Sequence, residues 1–149
     1  MTRFTTEIAA KALVIALPFL KQAIESHSKK GIAINIGYRD IHNLKAKPLV
    51  SDHLVLDGGD FVDISKSKYQ LTLETGLPSR EAQLLHPETT GGEGQTIYWG
   101  SWIDGFIIVA ISGLPPEWDE VCSKLICGII KALLTTQSKK DFELGKRFT

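Results

Sequence analysis

A chain of 149 residues with 43% hydrophobic content is long enough to bury a single core without disulfides. Its 17 basic and 17 acidic side chains cancel, so bulk charge favours neither nucleic acid nor an anionic membrane as a partner. The two cysteines, Cys122 and Cys127, fall on different faces of one predicted helix, which argues against a mutual bridge or a shared metal and predicts ordinary reduced thiols.

The apolar stretch from Ala9 to Leu20 contains Lys11 and Pro18 and follows no basic region. It lacks the pattern of a cleavable signal and is too short and interrupted to span a bilayer. A cytoplasmic protein without membrane contact is expected. From Thr5 to Ser28, Ile8, Ala12, Ala16, Phe19 and Ala23 mark one face of an amphipathic helix, which Pro18 should kink or split. Gly31 ends that segment. Ile32, Ile34, Ile36 and Tyr38 then alternate with Ala33, Asn35 and Gly37, the period of a half-buried strand. A turn over Arg39 to Asn43 leads to a weaker strand around Leu44 to Val50, which Pro48 confines to a sheet edge or ends early. Leu54-Val55-Leu56 offers a third short strand.

Asp60 is placed to cap a helix beginning at Phe61, Asp63 suits its first turn, and Gly76 and Pro78 supply the stop. Phe61, Ile64, Lys68, Leu71 and Thr75 share one face of this helix, so a lysine falls within an apolar stripe. Two readings of Lys68 stand. Its stem can snorkel the ammonium to the rim, or the ammonium can be aimed at a ligand or a carboxylate, since buried lysines are rarely unpaired. Ser79 to Leu85 forms a short helix. His86 follows at a helix-to-loop junction, either as a solvated loop histidine or as a ligand residue, beside the glycine-rich stretch Gly91 to Gly94. That stretch matches no phosphate loop.

Asp104-Gly105 between the β-rich runs Thr96 to Trp102 and Phe106 to Ser112 predicts a hairpin, because a tight turn needs positive φ. The second run is apolar on both faces and should be a central strand covered by helices. Pro115-Pro116 opens the last helix, with Trp118, Val121, Cys122, Leu125, Ile129 and Leu133 at helical spacing. Glu117, Asp119 and Glu120 at its start read as complements to the helix dipole. The polar tail over residues 138–149 is expected to fray. This order describes one α+β domain over residues 1–149, an antiparallel sheet carrying helices. The four histidines, His27, His42, His53 and His86, have no metal-ligand spacing, and no nucleophile motif is present.

Two segments carry a family resemblance. The run from Asp63-Ile64 through Lys68 to Gly76, Pro78 and Ser79 resembles the helix motif of the GlcG/HbpS-type family, the haem-degrading domain, with Asp-Ile, Lys, Gly and Pro-Ser/Thr at these intervals. The run Ile111-Ser112-Gly113 through Pro116-Glu117 to Asp119-Glu120 is similar to that family's V-S-G-x-x-P-E-x-D-E segment. The order of elements fits from about Ile32 to Leu133. The sequence departs where the family has Thr three residues after the lysine, Leu71 here, and where Thr90 to Gly94 replaces a Pro-Gly-Gly segment.

The resemblance implies a profilin-like sandwich with a sheet of about five strands, a symmetric homo-oligomer, and a haem or other tetrapyrrole ligand in some relatives. It implies a fold-maintaining role for Gly113 and Asp119. The functional reading that follows is a small-molecule-binding domain, with haem or another flat apolar ligand held by Lys68, Tyr69, His86, Trp99 and Ser112 beneath the glycine loop. The alternative is a cofactor-independent isomerase, cyclase or lyase, with Lys68, Glu74 or His86 as acid or base and the glycine loop as lid. A second alternative is a structural oligomer without a ligand.

Overall fold

The computed structural model describes residues 3–54, 61–89 and 99–148. Strand β1 (Ile32–Tyr38) follows the predicted alternation, but both of its faces are covered. Ile32, Ile34 and Ile36 enter the larger core, while Ala33, Asn35 and Gly37 face a helix on the other side. The small side chains on that second face are what allow the helix to approach closely. The expectation of one wet face is therefore corrected.

Strand β2 (Val50–Leu54) pairs antiparallel with β1, with Asn35 opposite Ser51. It starts beyond Pro48 and occupies a sheet edge, whereas a strand was expected over Leu44 to Val50 and another from Leu54. Residues 44 and 45 instead form a turn closed by Ala46 N–H donating to the Asn43 carbonyl, and 46–49 run on without helix or strand. Val55 and Leu56 lie outside the described residues, as do Asp60, Thr96 to Tyr98 and the Gly91 to Gly94 stretch.

Helices α2 (Phe61–Thr75) and α3 (Ser79–Leu85) have the predicted bounds, with Gly76 at φ +71° between them. Arg39 adds a cap that was not foreseen. Its Nε donates to the Leu73 carbonyl at 2.8 Å and a terminal NH2 donates to that of Glu74 at 3.1 Å, satisfying the open end of α2.

Strands β3 (Ser101–Asp104) and β4 (Ile107–Ser112) form the hairpin, with Asp104 opposite Ile107. Gly105 and Phe106 are thus the two loop residues, and only Gly105 needs positive φ, at +63°. The order β2-β1-β4-β3 makes β4 central and antiparallel to β1. There are four strands among the described residues rather than about five.

Helix α1 (Thr6–Ser26) and helix α4 (Pro116–Phe148) cover one face of the sheet, and α2 covers the other. Ile107, Val109 and Ile111 point to the first layer, Ile108 and Ala110 to the second. The result is an α+β sandwich. Helix α1 runs unbroken through Pro18, so the proline does not split it. Val14, whose carbonyl loses its bond to Pro18, is 68% exposed, so water can supply that donor. Its buried stripe is Ala9, Ala12, Leu13, Ala16, Leu20, Ala23 and Ile24, which leaves Phe19 at the margin, 40% exposed. Where fraying was expected after Gln137, α4 is continuous to Phe148, and its side chains are exposed over 135–145.

Gly113 turns the chain from β4 toward α4 at φ +126°, and a Cβ there would lie 2.3 Å from the Gly31 carbonyl oxygen. Gly113→Val should lower stability by at least ~1–3 kcal/mol through backbone strain alone. Chemical denaturation checks this, and an unchanged midpoint would remove the argument.

Candidate functional site

Lys68 is only 1% exposed, so the snorkelling reading fails and the paired reading holds. Its Nζ donates to the Ile111 carbonyl at 2.8 Å and to Asp119 Oδ2 at 3.2 Å. Asp119 Oδ1 accepts the Leu114 N–H at 3.0 Å. Asp119 is therefore a buried acceptor locked into the β4–α4 turn, beyond the dipole role expected for it. Burial lowers the pKa of Lys68, opposed by the attraction of Asp119. Burial likewise pushes the Asp119 carboxyl up to about 7, against the pull of Lys68 and the Leu114 N–H.

A hydroxyl network continues from this pair. Thr72 Oγ1 and Ser101 Oγ are 2.5 Å apart, Ser101 Oγ accepts the Ser79 N–H, and Ser123 Oγ donates to the Gly100 carbonyl. Arg80 Nε donates to both Glu120 oxygens, at 3.1 and 3.3 Å, tying α3 to α4. Gly100, at φ +134°, passes so close that a Cβ would sit 2.6 Å from Lys68 Nζ. This junction is closed and satisfied.

An open cavity of about 520 Å³ lies on the α2 side of the β1–β2 edge. Tyr69, Gln70 and Lys66 of α2, Asn35 of β1, Ser51 of β2, and Lys45, Ala46, Lys47 and Pro48 line it. Its wall is ordered by Gln70 Nε2 donating to the Leu44 carbonyl at 3.0 Å. Its floor is satisfied, since Asn35 Nδ2 donates to Ser65 Oγ at 2.8 Å and Asn35 Oδ1 accepts from Ser51 Oγ at 2.7 Å. Tyr69 lies over Gly37, where a Cβ would stand 2.0 Å from the phenol oxygen. Among the described residues the Tyr69 hydroxyl has no hydrogen-bond partner, and no fully buried side-chain polar atom is left unpaired. The hydroxyl is thus the part of the ring that meets the cavity. Burial raises its pKa strongly, so it stays a neutral donor.

Of the residues expected to bind a ligand, only Tyr69 lines this cavity. Lys68 sits in the closed junction, and Ser112, 3% exposed, follows the Ile111 carbonyl that Lys68 holds. Trp99 is partly exposed and donates to Gln83 Oε1 at 3.0 Å. His86 is exposed, with Nδ1 3.2 Å from Glu88 Oε1, and Glu74 is exposed and accepts from Gln70 Nε2. Lys68, Glu74 and His86 line none of the described cavities. Among the described residues no three His, Cys, Asp or Glu side chains gather as metal ligands. Cys122 and Cys127 are free and buried, their thiols pushed up to about 12 by burial. Sequence reasoning missed Asn35, Ser51 and the 45–48 segment. Their signal was the small-residue face of β1, which leaves space that nothing in the local pattern fills.

Lys68→Met strands a buried carboxylate and should cost ~3–5 kcal/mol. The cost should depend on pH. With its folded-state pKa raised, to about 7 even beside Lys68, Asp119 keeps a proton that the unfolded chain releases near ~4. Stability of the variant should therefore fall as pH rises through this window. Denaturation at acidic and mildly alkaline pH reads it, and a variant as stable as the parent at both would show that the pair does not hold the fold.

No family model matches the chain, and no curated protein matches it. Solved structures do. ORFY of Klebsiella pneumoniae superposes with a TM-score of 0.62 at 14% identity, covering 89% of this chain and 93% of that one. A double mutant of Streptomyces reticuli HbpS gives 0.58 at 17%, covering 87% and 88%. PduOC, solved as a haem complex, gives 0.58 at 13%, covering 81% and 91%. With Lys68, Gly113 and Asp119 at the structural positions just described, the chain has the fold of the GlcG/HbpS-type domain.

Proposed function

We propose that this chain is a small-molecule-binding domain whose ligand occupies the cavity between α2, the β1–β2 edge and the 45–48 segment. The observation that carries the reading is the Tyr69 hydroxyl, an unpartnered donor on a buried ring, facing about 520 Å³ of lined space. Concave sites with a few placed polar groups are where small ligands bind. The haem complex of PduOC shows that the fold can take a flat organic ligand.

Haem iron itself does not fit this cavity. Among the described residues no His, Cys or Met lines it, and burial holds the Tyr69 phenol away from the phenolate that would ligate iron. The body of the ligand would instead lie against Tyr69, Pro48 and Ala46. Self-association is part of the proposal. Val14, Ile15 and Phe19 are exposed on α1, and such apolar surface marks contact sites.

Ala46→Trp should fill the cavity at a cost within ~0.5 kcal/mol, as for other surface substitutions. A thermal-shift screen of flat aromatic compounds should yield a stabiliser whose effect this variant abolishes. Stabilisation retained in Ala46→Trp, or a haemin-induced Soret shift that survives it, would move the ligand elsewhere. Light scattering should give a mass above 16.4 kDa at micromolar concentration; a stable monomer would defeat the assembly proposal.

A further inference from the structure

We infer that the cavity selects an anion, binding a carboxylate or phosphate monoester carried on a flat organic body. The inference rests on the reading that a small ligand occupies this cavity. Three lysines, Lys45, Lys47 and Lys66, line it, and among the described residues no carboxylate does. The chain as a whole has equal numbers of acidic and basic side chains, so the grouping does not follow from a basic composition. Among the described residues none of the three ammonium groups is in an ion pair. The nearest acidic groups on α2 leave them free. Asp63 makes no ion pair with Lys66, and Glu74 accepts instead from Gln70 Nε2 at 2.9 Å.

The polar groups of the floor are already committed to one another. Asn35 spends its amide on Ser65 and its carbonyl oxygen on Ser51, and Ser65 Oγ donates to the Ala110 carbonyl at 3.1 Å. The donors that remain open to a ligand are three ammonium groups and the Tyr69 hydroxyl, against a single side-chain amide acceptor, Gln70 Oε1. Burial keeps that hydroxyl protonated, so it gives a hydrogen bond to an anion rather than repelling it. A concave surface with one sign of charge and low-dielectric walls concentrates ions of the opposite sign. An uncharged acceptor could use the hydroxyl but would leave the lysines unanswered.

The 44–48 segment is positioned to present its lysines. The Asn43 N–H donates to the Asp40 carbonyl at 2.9 Å, the Lys45 N–H donates to Asn43 Oδ1 at 3.3 Å, and Gln70 holds the Leu44 carbonyl. Lys66 approaches from α2 on the opposite side. The acid group would sit between them, with the ring of the ligand against Pro48 and Tyr69.

The test is NMR titration of the labelled full chain with phenyl phosphate, benzoate and benzamide. Both anions should shift the amide signals of residues 44–51 and 66–70, while benzamide binds at least about tenfold more weakly. The Lys45→Gln, Lys47→Gln, Lys66→Gln triple variant should lose that preference, and Arg at the same positions should restore it. Added salt should weaken both anions. The comparison of phosphate with carboxylate assigns the acid. Benzamide binding the same residues as tightly as the anions would overturn the inference and leave the cavity reading standing. Anions that shift other residues, or none, would overturn both.

Discussion

A lysine ammonium taken out of water costs several kcal/mol unless its charge and its hydrogen bonds are answered, and the α2 side of this sheet is arranged around answering one. Lys68 reaches from α2 to the last carbonyl-bearing turn of β4 and to a carboxylate on α4. That carboxylate holds the Leu114 N–H, so the pair also fixes where β4 ends and α4 begins. A pair only 2% exposed on each side is weak evidence for net stability, since apolar residues of similar volume often serve as well. Its consequence is specificity of arrangement. In the observed placement of α2 over β4, with α4 in its register, both charges are satisfied.

Close backbone approach makes the junction possible. Gly100 lets the chain pass beside Lys68 Nζ and Asp119 Cβ, where any side chain would collide. Gly37 does the same for Tyr69 on the neighbouring strand. The face of β1 and β4 under α2 is consequently made of Ala33, Asn35, Gly37, Ile108 and Ala110, mostly small. The opposite face carries Ile32, Ile34, Ile36, Ile107, Val109 and Ile111 and builds the main core with α1 and α4. The sandwich is asymmetric. One layer is held by apolar area, the other by polar contacts reaching over a thin apolar floor.

Much of this was legible in local pattern. The hairpin, the central β4, and the bounds of β1, α2 and α3 follow from alternation, an Asp-Gly step and helix punctuation. Lys68 stood out because it broke an apolar stripe. Its partner did not, because a carboxylate in the first turn of a helix already has a sufficient local explanation in the helix dipole, and 51 residues separate the two. Phe19 was misplaced because a face chosen at the margin of a helical stripe is shifted by one or two residues once Leu13 and Leu20 are available to bury. The cavity was illegible for a different reason. It is a space left between α2 and a turn segment, and local periodicity describes occupied surfaces.

The separation of Lys68 from Tyr69 carries the functional argument furthest. Neighbouring residues on a helix point about 100° apart, so α2 can send one side chain into a closed junction and the next toward an open cavity. Lys68 is the residue that both the stripe and the family motif single out, yet every donor bond that matters to it is made inside the fold. Two of its three N–H donors are spent on the β4–α4 junction, and freeing them would unmake it. Tyr69 carries no motif, but its hydroxyl is unspent among the described residues and meets space. Where such a residue is spent on holding the fold, neighbours whose donors remain open are the better candidates for binding, and on this chain those are Tyr69 and the three lysines that line the same cavity.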